Sequence, residues 1–334
     1  MTEINEKSKV AIIGSGSWAT ALAKLFIYNL PEINWFIRKP ESIELFKKFR
    51  HNPNYLRSVE FDVSRINFYS DINEIVRDSD ILVFVTPSAF LKETLRHLTV
   101  DLNNKYVVSA IKGIIPDGNL LVGEYFHEFY DVPFDQFGVI AGPCHAEEVA
   151  RDLLSYLTIA SPDVKRARHF AMLLESPFLR THISDDIWGT EYSAVLKNIM
   201  AIASGISHSL RYGDNFQAVL MSNAIQEIKR FVDTVHPITR DIKSSAYLGD
   251  LLVTGYSQFS RNRTFGTMIG KGYTVRSAML EMDMIAEGYY ATKCIKELNE
   301  QYHVNMPITD TVYNIIYEGI SPAIEMRLLT EHLR

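Results

Sequence analysis

Cysteine is nearly absent from this chain: 334 residues contain two, Cys144 and Cys294. Two thiols so far apart supply neither a disulfide framework nor a zinc site, and they favour a reducing compartment. Long apolar runs are missing too. No stretch approaches the roughly 18 residues of a membrane span, and the opening MTEINEKSK is polar and of mixed charge, unlike a signal peptide. A cytoplasmic protein with no stable membrane insertion is expected. Nor is there an excess of positive charge. The 34 Lys and Arg face 40 Asp and Glu, for a formal net charge of -6, which argues against nucleic acid as the main partner. None of the histidines shows metal-ligand spacing, so no metal is expected.

What is present is an ordinary globular composition, 47% hydrophobic and 22% charged. At about 150 residues per domain the length suggests two domains, each able to bury a core. In the first half short β-branched runs alternate with amphipathic stretches. Residues 9–13, 34–37, 81–86, 106–111 and 137–141 read as buried parallel strands, and residues 17–29, 42–49, 89–98 and 120–129 as crossover helices. Residues 156–161, 164–174 and 180–183 continue this βαβ rhythm. Helical patterning then takes over across 187–209, 215–235, 277–299 and 307–317. The expectation is an α/β Rossmann-like dinucleotide-binding domain over residues 1–185, followed by an all-α domain over 186–334.

The strand KVAII runs directly into Gly14-Ser15-Gly16-Ser17-Trp18-Ala19 and then into a helix. In that context G-x-G-x-x-A is a dinucleotide fingerprint. The first glycine allows a tight turn, the second admits a pyrophosphate close to the backbone, and the small third residue permits helix–strand packing. An NAD site normally places an acidic residue at the end of the second strand. Here Arg38 and Lys39 stand there, suited to a 2′-phosphate and hence to NADP, while Glu41 keeps NAD open.

Further segments carry chemistry. Lys112 closes the YVVSAI run, where a cation meets a phosphate or polarises a carbonyl. The turn Gly142-Pro143-Cys144-His145-Ala146 offers backbone N–H groups to an anion. Lys197-Asn198 interrupts the apolar AVLKNIMAIASGI, and a lysine embedded there loses affinity for its proton, which suits proton transfer. Asp250 and Thr254 precede Ser260-Arg261-Asn262-Arg263, a dense cationic group suited to clamping phosphate. Lys112, Lys197 and the cationic cluster each have a plain alternative: a strand-end lysine, a snorkelling lysine, a solvated surface loop.

Taken together these segments resemble the NAD(P)-dependent glycerol-3-phosphate dehydrogenase family of the soluble bacterial type. The likeness spans the chain in order: GSGSWATALA, HNPNYL (51–56), VTPS (85–88), IKG, AGPCHAEEVA, AVLKNIMAIASGI, GDLLVTGYSQFSRNRTFG and AEGYYATK (286–293). It implies reversible reduction of dihydroxyacetone phosphate to sn-glycerol 3-phosphate with NAD or NADP, in support of glycerophospholipid synthesis. By the same likeness Lys197 is the general acid and base, Lys112 contacts both substrate and cofactor, Asn198, Asp250 and Thr254 orient the catalytic lysine and the substrate, and Lys197 and Asp250 also touch the substrate. Substrate contacts fall on Gly142, Cys144, Ser260, Arg261 and Asn262. Cofactor contacts fall on Gly14, Gly16, Ser17, Trp18, Arg38, Ala146, Arg261, Ile285 and Glu287. The family usually reads G-P-[S/T]-F-A where this chain has Cys144 and His145, so a thiol replaces a hydroxyl. The long apolar helices permit a homodimer.

Two other readings compete. One is a two-domain dehydrogenase of the 6-phosphogluconate or 3-hydroxyacid type, against which the SRNR cluster argues. The other is a non-catalytic dinucleotide-binding redox module, which has no need of a proton donor such as Lys197.

Overall fold

The computed structural model describes residue 4, residues 7–282 and residues 286–334. Two compact units emerge: residues 1–111 with 122–187, and residues 112–121 with 188–334.

The first unit is a sheet flanked by helices. Its elements are β1 (Val10–Ile13), α1 (Ser17–Asn29), β2 (Ile33–Phe36), α2 (Pro40–Phe49), β3 (Ile66–Tyr69), α3 (Ile72–Arg77), β4 (Ile81–Phe84), α4 (Leu91–Leu95), β5 (Tyr106–Ser109), α5 (Val122–Tyr130), β6 (Phe137–Ala141), α6 (Ala146–Ala150), β7 (Ser155–Ala160), α7 (Val164–Met172) and β8 (Leu179–Ser184). The strand order is β3-β2-β1-β4-β5-β6-β7-β8. Strands β1, β2, β4, β5 and β6 are buried along their whole length, which explains their unbroken apolar runs. Val10, Ile12, Trp35, Val83 and Val108 pack on Leu22 and Phe26 of α1 and on Phe170 of α7 in one core. Chain order reverses between β1 and β4, so the crevice beyond their C-terminal ends is where a doubly wound sheet takes a ligand.

Two expectations need correction here. Strand β7 is antiparallel to β6, with Val139 opposite Ala160 and Ala141 opposite Thr158. The connection carries only the five-residue α6, about 7–8 Å long, too short to return the chain to the other end of the sheet. The pair β3 and α3 escaped the pattern because β3 is an edge strand with Ile66 as its one buried residue.

Among the described residues the second unit is built of helices: α8 (Ile187–Ser209), α9 (Asp214–Val235), α10 (Asp250–Tyr256), α11 (Arg261–Gly270), α12 (Val275–Glu281), α13 (Glu287–Tyr302), α14 (Pro307–Ile316) and α15 (Pro322–Thr330). Helix α8 is its axis, with residues 189–207 all buried. Val195, Ile199, Ile202 and Ile206 meet Leu220 and Phe231 of α9, Phe265 of α11, Ile295 of α13 and Val312 of α14. The single helix expected over 277–299 is two, α12 and α13, because Met282 and Ala286 both adopt extended backbone. Buried Glu227 on α9 accepts from the N–H groups of Ile308 and Thr309 and from the Thr309 hydroxyl, which caps the start of α14. Burial pushes its carboxyl up to about 7.

Candidate active site

On the sheet unit, the turn between β1 and α1 lies at the switch point. Gly14 has φ +134°, and a β-carbon there would stand 2.6 Å from the Val85 carbonyl oxygen, so only glycine fits. At Gly16 nothing lies within 4 Å of that position, leaving the backbone open on that side. Gly16 is also the N-cap of α1, and no side chain caps the helix. The first-turn N–H groups of α1 thus have no intrahelical partner and favour an anion. Two buried polar atoms, Trp18 Nε1 and Thr86 Oγ1, make no hydrogen bond. They flank this turn, Trp18 from α1 and Thr86 from the segment after β4. Open backbone, a bare helix start and two orphaned polar atoms fit a bound dinucleotide. Arg38 follows β2 and is exposed, as is Lys39.

Also on this unit, Gly142 adopts φ +107° beyond β6, Cys144 is buried, and Ala146 opens α6.

The helical unit gathers the lysines. Lys197, on α8, is 3% exposed, and its Nζ lies 2.5 Å from Oδ1 of Asp250, the first residue of α10. Lys112 approaches the other carboxylate oxygen, Nζ to Oδ2 3.4 Å. Burial pushes the Lys197 ammonium down to about 7, with Asp250 opposing that shift and Lys112 adding to it. Burial also works against the Asp250 carboxylate, but the charges of Lys112 and Lys197 outweigh it and hold Asp250 below its ordinary range. The result is one carboxylate between two cations, with the deeper cation exchanging its proton near neutrality.

Side-chain amides hold this group in place. Asn198 Nδ2 donates to the Lys112 carbonyl at 2.7 Å, and Asn262 Nδ2 donates to Asn198 Oδ1 at 2.9 Å. Asn262 Oδ1 in turn accepts from the Gly288 N–H at 2.9 Å. The helices approach closely enough because they cross at glycines: a β-carbon on Gly266 of α11 would stand 2.1 Å from the Ile202 carbonyl oxygen of α8.

The SRNR segment, which read equally as a loop, starts a helix. Ser260 is the N-cap of α11, its hydroxyl accepting from the Arg263 N–H at 3.3 Å, and Arg261 is exposed in the first turn. Thr254 Oγ1 donates to the Asp250 carbonyl at 2.6 Å, one turn back on its own helix. Glu287 opens α13, and Ile285 lies outside the described residues. Thus Lys112, Lys197, Asn198, Asp250 and Asn262 come together on the helical unit, whereas Gly14, Gly16, Ser17, Trp18, Arg38, Gly142, Cys144 and Ala146 sit on the sheet unit. Missed from sequence were the groups that orient the nucleotide turn, Trp35 and Asn52 among them; Asn52 sits in the quoted HNPNYL segment.

A nucleotide-binding sheet followed by a helical unit carrying a buried lysine–carboxylate pair defines a two-domain dehydrogenase. Comparison with known proteins names the family. Residues 9–167 match the N-terminal part, and residues 186–327 the C-terminal part, of the NAD-dependent glycerol-3-phosphate dehydrogenases, and the chain belongs to that family. It is 33% identical over 324 residues to glycerol-3-phosphate dehydrogenase [NAD(P)+] of Staphylococcus carnosus, covering 96% of this chain and 97% of that one. With the enzyme of the same name from Oceanobacillus iheyensis it shares 34% over 316 residues, 94% and 91% of the two chains. The crystal structure of glycerol-3-phosphate dehydrogenase from Coxiella burnetii superimposes with a TM-score of 0.89 at 28% identity, covering 98% of this chain and 99% of that one.

Proposed function

We propose that this NAD(P)-dependent oxidoreductase interconverts dihydroxyacetone phosphate and sn-glycerol 3-phosphate, and that Lys197 is the proton donor and acceptor at the central carbon's oxygen. The observation that carries the assignment is the buried Lys197 held 2.5 Å from Asp250. The nicotinamide supplies or accepts the hydride. In the reducing direction the Lys197 ammonium protonates the oxygen that becomes negative; in the oxidising direction its neutral amine removes that proton. Asp250 keeps the amine oriented and sets its proton affinity. Lys112 adds positive charge where oxygen gains negative charge. Asn198 and Asn262 hold the Lys112 backbone in place, and Thr254 braces the first turn of α10.

Arg261 and Ser260 at the start of α11 take the substrate phosphate, since a guanidinium bonds phosphate oxygens in pairs and the positive end of the helix dipole adds to its charge. On the sheet unit, Gly142 and the Cys144 backbone N–H are assigned to the substrate. The β1–α1 turn with Ser17 and Trp18, together with Arg38, Ala146, Ile285 and Glu287, is assigned to the cofactor. The same reading has residues 1–185 binding the nucleotide and residues 186–334, joined by Lys112, carrying the chemistry, in a cytoplasmic homodimer that supplies glycerol 3-phosphate for phospholipid synthesis.

The test is oxidation of NADH and of NADPH by purified protein with dihydroxyacetone phosphate, followed at 340 nm alongside the Lys197→Ala variant. The expected outcome is turnover by the wild type and a loss of at least about a thousandfold in the variant, with cofactor binding retained. Activity with keto acids but none with dihydroxyacetone phosphate would overturn the substrate. Near-normal turnover by Lys197→Ala would remove the lysine from its role.

A further inference from the structure

Three consecutive peptides form the nucleotide turn, and each has its carbonyl held. Trp35 Nε1 donates to the Gly14 carbonyl at 2.7 Å. Asn52 Nδ2 donates to the Ser15 carbonyl at 3.0 Å. The Gly16 carbonyl accepts from the Thr20 N–H at 3.0 Å and from Thr20 Oγ1 at 2.9 Å. In a trans peptide the carbonyl and the following N–H point in opposite directions. Holding these carbonyls inward therefore turns the N–H groups of Ser15, Gly16 and Ser17 the other way, towards an anion.

The middle peptide is the vulnerable one. Glycine stands on both sides of Ser15, and Gly16, with no β-carbon, widens the backbone conformations open to the Ser15–Gly16 peptide. The holding group comes from the segment after α2, far along the chain. Asn52 is 2% exposed, and its carboxamide is fully engaged. Besides the Ser15 carbonyl, Nδ2 donates to Thr20 Oγ1 at 2.8 Å. Oδ1 accepts from the N–H groups of Asn54 at 3.0 Å and Tyr55 at 3.2 Å. Reversing the amide would set N–H against N–H, so the surroundings dictate its orientation.

We infer that Asn52 is a positioning residue for the cofactor diphosphate, fixing the Ser15–Gly16 peptide so that the Gly16 N–H faces the phosphate oxygens. It acts through the turn and needs no contact with the cofactor. This inference rests on the dinucleotide reading of the β1–α1 turn.

The test measures ligand affinity directly, with steady-state kinetics beside it. Wild type, Asn52→Ala and Asn52→Asp are titrated with NADPH by fluorescence, and ADP-ribose and adenosine are then used as competitors. ADP-ribose carries the diphosphate and adenosine lacks it. Asn52→Asp retains the acceptors for Asn54 and Tyr55 but cannot donate, so it decides the matter if Asn52→Ala does not fold. The expected result is at least about tenfold weaker ADP-ribose binding with adenosine affinity unchanged, and a raised KM for the dinucleotide at nearly constant kcat. ADP-ribose affinity equal to wild type in a folded variant overturns the inference while wild-type NADPH binding stands. A parallel loss of adenosine and ADP-ribose overturns it as well, since that is the signature of general structural damage. Failure of the wild type itself to bind NADPH overturns both this inference and the dinucleotide reading.

Discussion

Lys197 owes its proton affinity to where it is buried. In water its amine would stay protonated at neutral pH; within α8, burial lowers its pKa to about 7 against the opposing charge of Asp250. The sign of the pH dependence follows. With Lys197 in the proposed role, reduction of dihydroxyacetone phosphate needs the ammonium, so its rate should fall as pH rises through about 7. Oxidation of glycerol 3-phosphate needs the free amine, so its rate should rise over the same range. Rates measured in both directions from pH 5.5 to 9 should show these opposite limbs. Asp250→Asn removes the charge that favours the ammonium and should move both midpoints to lower pH; midpoints unchanged or raised would contradict the coupling. Stability obeys the same linkage. Between about 7 and the unfolded value of 10.5 the unfolded chain binds the extra proton, so this residue makes folding more favourable as pH rises through that window.

At the scale of elements, the site depends on helices that cross closely. The α8–α11 contact is made where Gly266 faces the Ile202 carbonyl, and it brings Asn262 within reach of Asn198. Gly266→Ala should push α11 outward and destabilise the protein by about 1–3 kcal/mol, since backbone on both sides yields little. Urea unfolding should show a lower midpoint at unchanged slope, accompanied by weaker turnover; a midpoint equal to wild type would mean the helices separate without cost. Element recognition from sequence succeeded where period and ends agreed. Residues 17–29 read as a helix and α1 has those bounds, because an apolar face begins directly after the glycine turn. It failed where a helix was announced by its cap alone. Ser260 and Thr274 cap α11 and α12, yet Ser and Thr are common in loops, and the apolar period runs on across the break between α12 and α13.

The whole molecule carries a net charge of -6 while its substrates are anions, so useful positive charge has to be placed locally. On the proposed reading Arg38, exposed after β2, selects between coenzymes. Arg38→Ala should raise KM for NADPH about tenfold and leave KM for NADH within about twofold, because a charge-assisted bond to the 2′-phosphate is lost in one case only. Equal effects on both coenzymes in steady-state assays would assign Arg38 elsewhere. Each unit encloses its own core, as expected of two domains of this length. The excursion of residues 112–121 into the helical unit left no mark on composition or period. Its anchors are the buried Ile114 and Leu121 and the Asn198 bond to the Lys112 carbonyl, all made with partners distant in sequence.

What the sequence by itself determined are features whose interactions close over a few residues: the strand–turn–helix fingerprint, the unbroken apolar strands, the change to helical period, and a lysine set in an apolar helix. Backbone geometry makes those readable in order along the chain. Only the tertiary structure decided which carboxylate faces Lys197, that the SRNR residues begin a capped helix, that β7 runs against β6, and that Asn52 holds the Ser15 peptide. Apart from the Ser260 cap, which is local and hidden by a residue type common in loops, those pairings join residues far apart in sequence, and such groups meet only after packing has fixed where each element lies.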